Sequence, residues 1–309
     1  TTLFGHRPRV KTAQQIIAEL DRLYELGWRG HIFFVDDNLI GNKRHLKTEL
    51  LPALRAWGGR RKGITFQTEV SINLADDEEL VREMVAVGFD SIFVGIETPD
   101  EDSLAECRKT QNKGRDLVDC VKQLQRAGLQ VEAGFIVGFD SDTPSIFQRQ
   151  IDFIQRSGIV TAMVGLLQAP RGTPLYERLQ REGRLLDDVS GDNTDSSLNF
   201  IPRMGAEALL AGYRRIVHEI YSPGAYYERV KTFLREYNRM PTNRRLTLAE
   251  VGAFLRSVYL LGIKGVERVY YWKLFFWTLF RRPRLFPLAI TFSIYGVHFR
   301  RVFGATPAQ

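Results

Sequence analysis

From about residue 10 to residue 186, short apolar runs of strand length alternate with longer stretches whose apolar residues recur every three or four positions. The runs are HIFFVDD, ITFQTEV, SIFVGIET, VEAGFIVGF and TAMVGLLQA. Between them, Thr12 with Gln15 reads as a capping box opening a helix to about Gly27, and a second helix covers roughly Arg44 to Trp57. Asp76 with Glu79 opens a third, whose Leu80, Met84 and Val87 share one face that Gly88 closes. Leu117, Val121 and Leu124 give the next helix its apolar side, ended by Gly128. Thr143 and Pro144 start another that ends near Gly158. Five strands alternating with helices of this length predict a parallel sheet, open or curved into a barrel, with right-handed crossovers that bring every strand end to one face. Because the chain opens on a helix, a barrel would want one more strand before Thr1 to pair with HIFFVDD.

After Arg184 the alternation stops. An Asp-rich connector, DDVSGDNTDSSLNF, leads to helical stretches near Ala206–Tyr221, Ala225–Tyr237 and Leu248–Leu261. The expected organisation is therefore an α/β region over 1–186 and a helical module over 187–309, with a basic aromatic tail from about 264. No internal repeat stands beyond the βα alternation.

At 309 residues, 44% hydrophobic and 26% charged, the chain is of ordinary globular composition, neither disordered nor collagen-like. Cys107 and Cys120 cannot build a disulfide framework, and no signal peptide precedes Thr1, so a cytoplasmic setting is expected. The net charge of +7 is concentrated: from Lys264 onward eight Lys or Arg stand against the single acid Glu267. They are interleaved with YYWKLFFWTLF and RLFPLAITFSIYGVHFRRVF. Cations among aromatics suit a membrane interface and predict peripheral contact through 264–309, possible at the inner membrane face. The competing reading is helices packed on the main domain with their cations solvated. The longest uncharged run, Leu285 to Phe299, is shorter than the roughly 20 residues of a span. Despite the pI near 9.4, no nucleic-acid partner is expected, because no recognition module accompanies the basic residues.

In parallel α/β architectures, ligands gather at the carboxyl ends of the strands. Those ends carry Asp36, Asp37 and Asn38; Gln67 and Glu69; Glu97 and Thr98; Phe139 and Asp140; and Gln168. Glu97 is the leading candidate, since Pro99 and Asp100 separate it from the next helix and make a capping role less attractive. Gln67 and Glu69 share a face opposite Thr68, so their access to a ligand depends on which face is open. Asp36 or Asn38 could equally cap a turn. Gly134 and Gly138 would let a flat ring approach the backbone.

In order, FFVDDN, QTEVSINLADD, SIFVGIETPDEDSL, GFIVGFDSDT and LLQAPRGTPLYERL resemble the strand-end motifs of radical S-adenosylmethionine (SAM) enzymes. The branch most similar carries a cobalamin-binding domain upstream and a helical extension of the DUF4070 type downstream, and includes hopanoid methylases and anaerobic cyclases. The resemblance implies a partial (β/α)6 TIM-like barrel, here lacking its first strand, followed by the α-helical module. It implies three cofactors: SAM, a [4Fe-4S] cluster on a CxxxCxxC loop placed just upstream of Thr1, and cobalamin on the upstream domain. It places Asp36, Asp37 and Asn38 where a GGE-like motif binds the SAM amino group, with Asp37 preferred. Glu97 would contact the ribose hydroxyls, and Gly134, Gly138 and Asp140 would lie near adenine. Gln67, Glu69 and Gln168 join them as cofactor-binding candidates. It assigns no catalytic residue, and Cys107 and Cys120 are too far apart in sequence to replace the cluster loop. The activity implied is C-methylation of an unactivated carbon on a hydrophobic lipid or tetrapyrrole, with flavodoxin or ferredoxin as reductant. The alternatives are radical cyclisation or rearrangement, or a non-catalytic SAM- or membrane-binding fragment. Without the cluster loop, this chain alone is expected to be inactive.

Overall fold

A computed structural model describes residues 10–58, 63–186, 197–238 and 247–304. Most of the connector over 187–196 therefore lies outside the described residues, as does the tract before Val10. Five strands, β1 (His31–Phe34), β2 (Thr65–Val70), β3 (Phe89–Glu97), β4 (Gln130–Val137) and β5 (Ala162–Leu166), form one sheet in the order β1-β2-β3-β4-β5. Every neighbouring pair is parallel. Helices α1 (Ala13–Glu25), α2 (Leu51–Gly58), α3 (Glu78–Val87), α4 (Glu101–Glu106), α5 (Leu117–Ala127), α6 (Ser145–Ser157) and α7 (Pro174–Arg181) alternate with the strands and follow the last. The result is the parallel sheet that the alternation predicts, curved into the half-barrel that the family resemblance implies.

Local chemistry sets these boundaries. Thr12 and Gln15 form both bonds of the capping box at α1. At α3 the cap moves one residue from the expected position. Asp77 accepts from the Leu80 amide, while Asp76 turns to Arg115 at 2.8 Å. Gly88 and Gly128 end their helices in the left-handed conformation that glycine adopts without strain.

The pleat sorts side chains into two layers. Phe66, Thr68 and Val70, with Ile92, Val94 and Ile96 and then Val131, Ala133 and Phe135, are buried under the helices. The alternate residues, among them Gln67, Glu69, Phe93, Gly95, Glu132, Gly134 and Met163, occupy the other, open face. Thr68 is on the helix side, so Gln67 and Glu69 are available to a ligand. β1 is one edge of the sheet, and a groove of about 450 Å³ lies between it and α1, lined by Ile16, Leu20, Phe33, Val35 and Leu46 among others.

The C-terminal module comprises α8 (Ala206–Tyr221), α9 (Pro223–Glu236), α10 (Leu248–Ser257) extended by a π-helical turn Val258–Ile263, α11 (Arg268–Arg281) and α12 (Phe286–Gly304). It shares one continuous apolar core with the half-barrel. α8 lies so close to α6 that a Cβ at Gly212 would fall 2.1 Å from the Phe147 ring, so this contact needs glycine. The Tyr221 hydroxyl donates to the Ala162 carbonyl of β5 at 2.7 Å. Arg229, wholly buried on α9, is the polar centre of the junction. It donates to Gln155 of α6 and to the carbonyls of Ile220 and Val160, with the Tyr221 and Tyr226 rings beside it. Among the described residues no helix is long and apolar enough to cross a membrane.

Candidate functional site

β3 is the longest strand and ends in unusual geometry. Its register with β4 shifts between Gly95 and Glu97, and Glu97 has φ of 64°, a conformation that a residue with a Cβ adopts at a cost of order 1–3 kcal/mol. Several contacts hold it there. The Thr98 amide bonds the Ile96 carbonyl at 2.9 Å, and the Asn112 amide group donates to the carbonyls of Gly95 (3.1 Å) and Ile96 (3.0 Å). Lys109 Nζ pairs with Glu97 Oε1 at 2.8 Å. A Cβ at Gly95 would strike both members of that pair, at 2.6 and 2.9 Å, so the ion pair lies directly over the glycine. Asp100, not Glu97, caps α4, accepting from the amides of Asp102 and Ser103. Glu97 is thus left facing the open side at the strand mouth.

The neighbouring strand ends add negative charge. Burial and then the Asp37 carboxylate push the Glu69 carboxyl up, against the pull of Lys109. Burial and Asp37 likewise raise Asp36, with Lys11 opposing. Among the described residues, Asp36, Asp37, Glu69 and Glu97 therefore gather at the mouth with Lys109 and Lys11 as the cations that act on them. Asn38 does another job, clamping β1 to β2 by accepting from the Ser71 amide at 3.1 Å.

The remaining candidates separate. Gln67 lies on the open face below the mouth, bonded to His31 at 3.0 Å and to Glu132 at 3.2 Å. Burial raises the Glu132 carboxyl. Gly134 is also on the open face, where a Cβ would come within 3.1 Å of the Phe93 ring, so a flat group there would meet backbone and an aromatic edge. Gly138 faces the other way. Its φ is +111°, and a Cβ would touch Leu209 of α8 at 3.0 Å, so its role is in the turn and the helix packing rather than beside a ligand on the open face. Asp142 fixes that turn, accepting from the amides of Gly138 (2.8 Å) and Phe139 (3.1 Å) and from Ser103 (2.8 Å). Gln168 donates to the Ser197 carbonyl at 2.7 Å, tying the end of the sheet to the connector.

Asp140 is engaged by arginines: Arg184 at 2.7 Å, Arg178 at 2.9 Å and Arg203 at 3.5 Å. Burial alone would raise its carboxyl, but these guanidinium groups, Arg184 foremost, hold it below the usual aspartate range. A lowered folded-state pKa stabilises the fold above the unfolded value of about 3.9 and ceases to do so as pH falls through the folded value. Asp140→Asn should therefore cost about 1–3 kcal/mol at pH 7, and urea melts of variant and wild type should converge as the pH is lowered below 4. A constant difference across that range would contradict the assignment.

Lys109 and Asn112 were not legible as site residues. They stand in a polar loop, RKTQN, whose spacing resembles any solvated turn, and only the fold returns that loop across the end of β3.

SAM fits this mouth. Its ammonium and sulfonium groups match the carboxylates, its ribose hydroxyls match Glu97, and Gly134, half-buried beside the Phe93 ring, offers backbone without a side chain to a flat base. An iron–sulfur cluster does not fit the described residues, which hold no group of His, Cys, Asp or Glu able to bind a metal ion. Cys107 and Cys120 are half-buried free thiols, both raised by burial, and Cys120 packs against the core.

Residues 3–154 match the family model of the Radical SAM superfamily, and residues 173–308 match that of DUF4070, a domain of unknown function. An uncharacterized methyltransferase of Synechocystis sp. is 39% identical over 302 residues, 96% of this chain and 56% of that protein. The hopanoid C-2 methylase of Rhodopseudomonas palustris is 36% identical over 281 residues, 88% of this chain and 52% of that protein. The chain thus spans about half the length of the curated relatives it matches. The structure of the radical SAM methyltransferase TsrM from Kitasatospora setae, which has cobalamin and a [4Fe-4S] cluster bound, superposes with a TM-score of 0.50. At 14% identity it covers 93% of this chain and 55% of that one, a likeness of fold.

Proposed function

We propose that this chain, which belongs to the radical SAM superfamily, is the SAM-binding and helical portion of a longer cobalamin-dependent methyltransferase that modifies an unactivated carbon of a hydrophobic, polycyclic lipid. The observation that carries the reading is the group of carboxylates gathered at the mouth around Glu97, facing the open side of the half-barrel. The kinship with a hopanoid methylase supports the substrate class. Hydrogen-atom abstraction is the chemistry that SAM supplies when bound beside a reduced cluster, and methyl transfer is that of cobalamin.

The chain's own residues bind and orient. Asp36 and Asp37 face the ammonium group, Asp37 foremost, and Glu97 accepts from the ribose hydroxyls. Asn112 ties the backbone that carries Glu97 in its left-handed conformation, and Lys109 pairs with its carboxylate. Phe33 and Met163, exposed apolar residues on the open sheet face, with Phe93 between them in the sheet, offer an apolar floor for substrate and limit water there. The free edge of β1 takes a further parallel strand, and the cluster ligands and cobalamin come from elsewhere in the longer protein. Flavodoxin or ferredoxin supplies electrons, and the protein works in the cytoplasm, held peripherally at the inner membrane face through 264–309.

Incubating the longer protein with a polycyclic lipid, reduced flavodoxin or ferredoxin, and SAM labelled in its methyl group should put that label on a carbon of the lipid. A cyclised or rearranged product without the label would replace methylation by the alternative radical chemistry. Formation of neither product would contradict the enzyme reading.

A further inference from the structure

α11 is apolar on two sides. Tyr271, Leu274 and Thr278 are buried against the module, whereas Val269, Phe276 and Phe280 face outward, with Phe280 78% exposed and its ring stacked on Phe276. The turn before the helix carries Ile263 and a fully exposed Val266. A shallow hollow of about 600 Å³ lies over Val269, Trp272 and Phe276, bordered by Arg268 and Lys273. At the far end of the helix, Arg281 and Arg282 line two further clefts of about 500 and 460 Å³, one of them also bordered by Arg284. Among the described residues, no acidic side chain lines any of the three. The hollow over Val269, Trp272 and Phe276, continued by Phe280 and bordered by Arg268 and Lys273, is an exposed apolar patch with cations at its border, which marks an interaction site.

The charge selects the occupant. A second copy docked through this face would set the same cations against each other, a repulsive arrangement. A nucleic acid would satisfy the cations but leave the projecting Phe276 and Phe280 in water. An anionic bilayer matches both: phosphates level with the Arg and Lys, and acyl chains beneath the aromatic rings.

We infer that the outward side of α11, with the turn before it, docks in the headgroup region of an anionic lipid bilayer. Phe276 and Phe280 lie below the phosphates, and Arg268 and Lys273, which border the same hollow, lie level with them. This rests on the peripheral-membrane reading above and narrows it from residues 264–309 to one helix side. α12 also buries one side, Ala289, Ile290, Phe292 and Ser293, in the module, and its outward Ile294 and Val302 are less exposed than Phe276 and Phe280, so they serve as the comparison. The inference does not depend on the chemistry at the strand ends.

Co-sedimentation of the full chain with phosphatidylcholine vesicles, with and without phosphatidylglycerol, tests it. Wild type should pellet with the mixed vesicles at least tenfold more than with phosphatidylcholine alone. Phe276→Ser/Phe280→Ser and Arg268→Glu/Lys273→Glu should each lose most of that binding while keeping the wild-type melting profile. Ile294→Ser/Val302→Ser, exposed on α12, should bind as wild type. If only the α12 pair weakens binding, the tail meets the membrane but this assignment fails. If wild type pellets with neither vesicle, the membrane reading fails with it. Concentration-dependent dimerisation that the α11 variants abolish, without vesicle binding, would make the face a protein contact and overturn the inference.

Discussion

Replacing Glu97 with glutamine is expected to lower SAM-dependent turnover of the longer protein by about 10- to 100-fold in kcat/KM, leaving its thermal stability almost unchanged. The magnitude follows from hydrogen bonds to a charged acceptor, worth about 1.5–3 kcal/mol. Two vicinal hydroxyls need an acceptor for both protons, and the carboxylate offers two equivalent oxygens where the amide offers one oxygen and two N–H groups. Stability should hold because Glu97 is on the open face and Asn112, not the Glu97 side chain, ties the backbone of the strand end. Lys109→Met is the companion variant. It frees Glu97 from its ion pair without removing the carboxylate, so its defect should be smaller and should appear chiefly in KM. Steady-state assays over a range of SAM concentrations separate the two, and a wild-type kcat/KM in the Glu97→Gln protein would contradict the role assigned to it.

The second large effect is structural. Arg229→Ala should destabilise the fold by about 3–5 kcal/mol, because removing one partner of a buried charged network leaves the others without a donor or with a cavity. Burial lowers the pKa of Arg229, yet an arginine stays charged at any working pH. Its charge is tolerated because the carbonyls of Ile220 and Val160, the Gln155 side chain and two tyrosine rings surround it. Those groups come from the half-barrel and the helical module alike, so the loss should be felt by both. Chemical denaturation followed by tryptophan fluorescence should show one transition at lower denaturant. Two separated transitions, with the half-barrel unaffected, would show that Arg229 does not couple the regions.

The elements that sequence made legible were those set by local chemistry. The five strands, the glycine ends at Gly88 and Gly128, and the capping box at Thr12 each depend on residues within a few positions of one another. The place of Glu97 at the end of an apolar strand, separated by Pro99 and Asp100 from the next helix, was legible for the same reason. What stayed hidden depends on distant partners. Asp140 is adjacent to a strand end in sequence, but the arginines that engage it are Arg178, Arg184 and Arg203, from α7 and the segments that follow. Gly134 and Gly138 share a motif, yet the backbone turns between them and sends one to the open face and the other to α8. Arg229 stands in a helix of mixed polarity, where a cation ordinarily reads as solvent-facing, and only the docking of α9 onto α6 buries it. In the tail, the aromatic pattern without coordinates left packing and membrane contact equally open. The fold does part of each, burying one side of α11 and of α12 in the module and leaving Phe276 and Phe280 of α11 exposed.

The central claim is that the carboxyl ends of these strands hold SAM. A crystal structure of the longer protein with SAM bound tests it most directly. The account predicts the ribose hydroxyls within hydrogen-bonding distance of the Glu97 carboxylate, the ammonium group beside Asp37, and the adenine lying near Gly134. SAM bound away from the strand mouth, with Glu97 still paired only to Lys109, would contradict it.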